Sequence, residues 1–218
     1  MVDAAAVTAG LSAAGQAFGP SVASPATLRW GPLFDALDGD GDGDYVTAVE
    51  LIYEGYLFHY RRSRVSETPA EARETALLAG DFFYARGLRL VAARGDAEAV
   101  GLLARLMAAC SQLRSVGAPF AADDALWAYT MGGLAALRGG TPPATVAGLF
   151  TRFDAAVAGG AAVDAPSLVR AGVRRLGLRD AAPLERELAR EVVVAAAAAA
   201  VPGHAPAAPA ALSDPAGW

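Results

Sequence analysis

Four groups of side chains in this chain have the types and spacing to do chemistry. Asp38, Asp40 and Asp42 alternate along DGDGDGD and Gly43 follows. That is how a calcium loop opens, with carboxylates at positions 1, 3 and 5 converging on the ion and a glycine making the turn. The bidentate Glu of such a loop belongs six residues after the Gly, where Val49 stands; Glu50 comes one residue late. Weak calcium ligation by Asp38, Asp40 and Asp42 is therefore the alternative to a solvated acidic loop that caps the next helix at its positive end. His59, Arg61, Arg62 and Arg64 close the following apolar run. Cations there complement a helix C-terminus, and guanidinium groups also match phosphate or diphosphate oxygens bidentately. Asp123-Asp124 sits at an expected helix start, where the pair is expected to cap. Asp81 follows Gly80 inside a helical pattern, on a face with Leu77, Tyr84 and Leu88. A partly buried Asp there must find a partner, in a helix–helix hydrogen bond, an Arg pair or the polar lining of a cavity.

Several other chemistries have no residues to carry them. The one cysteine, Cys110, excludes an internal disulfide and a Cys-based zinc site, and it reads as a small buried hydrophobe. His59 and His204 are the only histidines, too few for a multi-histidine metal centre. The 18 basic side chains are all Arg, against 23 acidic ones, for a net charge of −5. Such a chain lacks the cationic surplus that tracks a nucleic-acid backbone. Walker loops, nucleophile elbows and dinucleotide fingerprints are absent, and no cofactor is implied.

The elements that must position these groups are helical. In 218 residues that are 54% hydrophobic and 19% charged, the periodicity is helical nearly throughout, with no clean alternating run. A weak first helix is expected over about 3–18, within residues 1–20, and a short element over 28–38. Longer helices are expected over 45–65, 70–94, 97–115, 122–138, 142–158, 165–175 and 183–200. Val49, Ile52, Tyr53, Tyr56 and Tyr60 form an apolar stripe on the 45–65 helix. Tyr53, Tyr56, Phe58, Tyr60, Phe82, Phe83 and Tyr84 concentrate aromatics on two neighbouring helices, as core, tunnel lining or partner interface. The expected architecture is all-α, a single helical domain over 1–201 with a Pro/Ala-rich disordered tail over 202–218. The start lacks the pattern of a secretory signal, and the apolar run Val192 to Val201 is half the ~20 residues of a membrane span. A cytoplasmic location is the expectation.

The stretch from Val49 to Asp96 carries a resemblance. Its segment ALLAGDFFYARGLRLVA, Ala76 to Ala92, resembles the Leu-Ala-Gly-Asp helix of trans-polyprenyl diphosphate synthases. The order Glu50-Leu51-Ile52, His59, a polar link, then Leu78-Ala79-Gly80-Asp81-Phe82-Phe83-Tyr84 is similar to the small regulatory subunit (component I) of heterodimeric heptaprenyl diphosphate synthases. The resemblance covers roughly 50 residues and implies an isoprenoid-synthase-like bundle. Catalytic members of that superfamily hold an allylic diphosphate through magnesium on two Asp-rich motifs. Where the first would fall, this chain has Leu57-Phe58-His59-Tyr60-Arg61-Arg62, and the late pair Asp123-Asp124 lacks a third Asp. The resemblance therefore implies a subunit without its own prenyltransferase activity. It would bind a catalytic prenyl synthase partner, or an isoprenoid, in menaquinone side-chain synthesis, with His59, Arg61, Arg62, Asp81 and Tyr84 as the contacting residues. The alternatives are a single EF-hand-like calcium-binding helical protein and a self-associating helical protein without a small-molecule ligand.

Overall fold

A computed structural model describes residues 3–67, 72–148, 151 and 175–189. Six helices carry the fold: α1 (Ala4–Gly15), α2 (Gly31–Asp38), α3 (Gly43–Tyr60), α4 (Arg73–Ala93), α5 (Ala97–Ser115) and α6 (Phe120–Arg138). Shorter helical segments follow at 143–148 and 182–189. Among the described residues there is no strand, only an isolated bridge between Ser21 and Ser66. The protein is all-α.

Local chemistry sets most of the boundaries. The side chains of Asp3, Asp42 and Asp96 each accept hydrogen bonds from the first-turn N–H groups of α1, α3 and α5, which have no partners inside the helix. Gly39, at φ 78°, ends α2 in the left-handed conformation that a side chain would oppose. Gly95, at φ 75°, does the same between α4 and α5.

Helices α3 and α6 are buried on nearly every side, and the other elements cover them. Every residue of α3 from Tyr45 to Phe58 except Thr47 is buried, as is every residue of α6 from Ala122 to Ala136 except Asp124. The expected stripe on α3 is therefore a complete cylinder, because other helices enclose it. Trp30, at the start of α2, stacks on Trp127 of α6 with ring centroids 6.0 Å apart, and Tyr53 of α3 stands edge-on to both. Phe58 and Phe83 stack at 5.5 Å, with Phe18 against them. Most of the aromatics thus fill the core and do not line a tunnel.

Helix α4 comes close to α3 because glycines face the contact. A Cβ on Gly55 would lie 2.8 Å from the Gly80 carbonyl oxygen, one on Gly80 2.4 Å from the His59 ring, and one on Gly87 2.7 Å from the Ala48 carbonyl oxygen. The buried face of α4 runs through Ala79, Gly80, Phe83, Gly87 and Val91. The expected face through Leu77 and Asp81 is rotated from it. Leu77 is exposed and the Asp81 side chain is 74% exposed, since the small residues and not the large apolar ones make the closest approach. No helix among the described residues is long and apolar enough to cross a membrane. The expected tail over 202–218, the run Val192 to Val201, His204 and the helix over 165–175 lie outside the described residues, apart from Arg175.

Candidate functional site

The inward carboxylates of α3 are Glu50 and Glu54, one helical turn apart and fully buried. Glu50 Oε1 accepts from the backbone N–H groups of Arg29, Trp30 and Gly31 at 2.7–2.8 Å. One carboxylate oxygen from another helix thus caps the positive end of α2. Its Oε2 accepts from Arg64 Nη1 at 2.7 Å. Glu54 Oε2 accepts from Arg64 Nε at 2.8 Å, and its Oε1 from Ser63 Oγ and the Arg64 N–H. Arg64 also donates to the Thr27 carbonyl. It lies beyond the end of α3 and turns back into the core, so it is not a dipole-complementing cation.

A second carboxylate pair sits on α6. Asp123, fully buried, accepts from Tyr56 Oη at 2.5 Å and from Arg114 Nη2 at 3.2 Å. The expectation that it caps α6 is not met. Pro119 holds the cap position, and Asp123 points into the core because the following turn of α6 is enclosed. Burial pushes the Asp123 carboxyl up to about 6, against the opposing pull of the Tyr56 hydrogen bond and of the Arg114 and Arg61 charges. Burial raises Asp124 as well, with Arg61 working the other way. Arg61 Nη2 donates to both Asp124 oxygens at 3.2–3.3 Å, and its guanidinium lies over the Phe120 ring at 4.3 Å. Each inward carboxylate pair is thus closed by guanidinium groups.

The remaining predicted residues meet at one cleft. The end of α3, the turn after it and the first turns of α4 enclose about 620 Å³. Arg61, Arg62 and Arg73 stand around it, with His59 and Glu67, and Phe58, Ala76 and Leu77 form the apolar wall. Arg61 is spent on Asp124; among the described residues Arg62 and Arg73 have no carboxylate partner. The His59 ring stacks on Tyr84 at 5.2 Å and 16°. Burial raises the Tyr84 hydroxyl well above the usual range, and it stays protonated. His59 Nε2 lies 3.3 Å from Asp81 Oδ1 but is not aligned for a hydrogen bond, and the atom is buried. His59, Arg61 and Arg62 therefore share the cleft, Tyr84 and Asp81 reach it only through His59, and Arg73 joins it although its position inside a long helical run gave no sign of this.

The acidic loop is held by arginines. Asp38, with its side chain 3% exposed, accepts from Arg138 Nε at 2.8 Å. Asp42 pairs with Arg94 at 3.0 Å and with Arg138 at 3.4 Å. Asp40 points outward, 4.0 Å from Arg138. Among the described residues no three His, Cys, Asp or Glu side chains gather as metal ligands. Cys110 is buried, and burial holds its thiol protonated.

No protein-family model matches this chain, and no curated protein or solved structure does.

Proposed function

We propose that the chain is a non-catalytic, prenyl-synthase-like subunit that binds a catalytic prenyltransferase partner or an isoprenoid. The observation that carries this reading is the closure of both inward carboxylate pairs by arginine. Magnesium-assisted diphosphate chemistry needs carboxylate oxygens open to the ion. In this chain Glu50 and Glu54 are saturated by Arg64 and the start of α2, and Asp123 and Asp124 by Arg114, Arg61 and Tyr56. The Leu-Ala-Gly-Asp helix meanwhile keeps a packing role through Gly80, and its outer side presents Leu77, Leu78 and Phe82. An exposed apolar ridge on a well-packed helix suits a protein partner.

The test has two arms. The purified chain, incubated with labelled isopentenyl and allylic diphosphates and magnesium, is expected to elongate nothing. Mixed with a prenyl synthase recovered from native lysate on the tagged chain, it is expected to change the chain length of that enzyme's product. Elongation by the chain alone overturns the reading, and so does a lysate capture that yields no prenyl synthase.

A further inference from the structure

We propose that Arg138 is the resident cation of the acidic loop between α2 and α3, standing where a divalent ion would stand and keeping such an ion out. The inference goes beyond the prenyl-synthase reading and does not depend on it. Geometry makes the first part of the case. Asp38, Asp40 and Asp42 alternate along the loop, and Gly39 at φ 78° and Gly41 at φ 68° supply the turns between them. All three carboxylates face one guanidinium. Arg138 Nε donates to Asp38 Oδ1 at 2.8 Å, Nη1 stands 3.4 Å from Asp42 Oδ2, and Nη2 stands 4.0 Å from Asp40 Oδ2. Arg138 is the last residue of α6, so the cation comes from another element and not from the loop itself. Arg94, the other arginine at the loop, reaches only Asp42 and Asp44, and its side chain is 48% exposed against 19% for Arg138.

Two further observations say why a guanidinium and not an ion holds this place. A calcium loop needs six to eight oxygens and a bidentate carboxylate to close it. The nearest candidate for that role, Glu50, is spent on the start of α2 and on Arg64. A guanidinium needs no such ligand, because its planar fork takes single oxygens from separate directions. It is also wider than an ion and holds the carboxylates apart, which is why no three gather as metal ligands among the described residues while Arg138 is in place. The second observation is Asp38. Its side chain is 3% exposed and its Oδ2 is buried without a hydrogen bond. A carboxylate so enclosed requires a cation beside it. Removal of Arg138 takes away that cation and leaves three carboxylates free to close on a small hard ion.

Titration of the full chain with calcium, read by calorimetry and thermal shift, tests this, with terbium as a luminescent probe of the same place. Tyr45 is the antenna, since the Arg138 guanidinium lies 4.5 Å from the centre of its ring. Arg138→Ser is expected to bind calcium with a Kd on the order of 1 mM, the range of weak loop sites. It should also gain terbium luminescence that Tyr45→Phe removes. The native chain is expected to bind calcium about tenfold or more weakly than this variant, and its melting temperature should respond to neither calcium nor EDTA. Arg94→Ser, which removes an equal charge from the same loop, should gain no binding. Asp38→Asn in the Arg138→Ser background should abolish the gain. Circular dichroism checks the fold; where Arg138→Ser is not folded, Arg138→Gln, which keeps a donor for Asp38, replaces it. Calcium binding by the native chain as tight as the variant's overturns the proposal, because the guanidinium then blocks nothing. An equal gain in Arg94→Ser overturns it in favour of adventitious attraction to an acidic surface. Absence of calcium and terbium binding in the folded Arg138 variant overturns it as well, because the loop then has no cation place for Arg138 to fill.

Discussion

Glu50 shows how much one side chain can hold in place. Its carboxylate takes three backbone N–H groups of the chain entering α2 and one guanidinium. Glu50→Ala would take from Arg64 one of its two carboxylates and leave the start of α2 without its acceptor. Removal of one partner of a buried pair costs about 3–5 kcal/mol, and urea denaturation is expected to show that loss, with the start of α2 losing hydrogen-exchange protection first. Asp123 contributes with the opposite sign. Its folded carboxyl titrates at about 6 and an unfolded one at about 3.8. Between those values the folded state binds more protons, so this group's contribution to stability is complete below the lower value and is lost as pH rises through the upper one. The loss is on the order of 2–3 kcal/mol at 1.36 kcal/mol per unit. Asp123→Asn keeps an acceptor for Tyr56 and is expected to flatten stability between pH 4 and 6.5, measured by denaturant midpoints. An unchanged pH slope would show that Asp123 is not its source. The residue types here were legible in the sequence but their partners were not. Asp123 read as a cap and Arg64 as a cation complementing the helix C-terminus, because a contact between residues 50 and 64, or 56 and 123, leaves no mark on local pattern.

Among the elements, the α3–α4 contact decides which substitutions are tolerated. Helix propensity alone favours Ala over Gly by about 1 kcal/mol. At Gly101, mid-α5, an added Cβ meets nothing within 4 Å, so Gly101→Ala is expected to stabilise by up to about 1 kcal/mol. At Gly87 the Cβ would stand 2.5 Å from Ile52 and 2.7 Å from the Ala48 carbonyl oxygen. Overpacking against backbone costs about 1–3 kcal/mol and outweighs propensity, so Gly87→Ala is expected to lower the melting temperature where Gly101→Ala raises it. A stabilising Gly87→Ala would mean that α4 does not need close approach. The elements themselves were largely legible. The 97–115 helix is found as Ala97–Ser115, the 122–138 helix as Phe120–Arg138, and the 70–94 helix as Arg73–Ala93. The 45–65 helix ends early, at Tyr60, because Arg64 must reach back to Glu50 and Glu54 and the intervening chain leaves the helix to let it.

For the whole molecule, the question is what meets the outer side of α4. Leu78 is 66% exposed, and an exposed substitution away from caps and pairs changes stability within about 0.5 kcal/mol. Leu78→Glu is therefore expected to leave the melting temperature nearly unchanged while abolishing capture of the proposed prenyl synthase partner. Capture that survives Leu78→Glu together with Phe82→Glu would move the partner surface elsewhere.

Helicity, most of the helix boundaries and the cationic character of residues 59–64 were determined by the sequence, because periodicity, capping residues and glycine stops act within a few positions of the chain. Tertiary structure alone decided which faces are buried. It made α3 and α6 cylinders enclosed by their neighbours and turned Asp81 outward and Asp123 inward. It also paired six arginines with carboxylates from other parts of the chain. Charge pairing depends on distance in space, and distance along the chain does not report it.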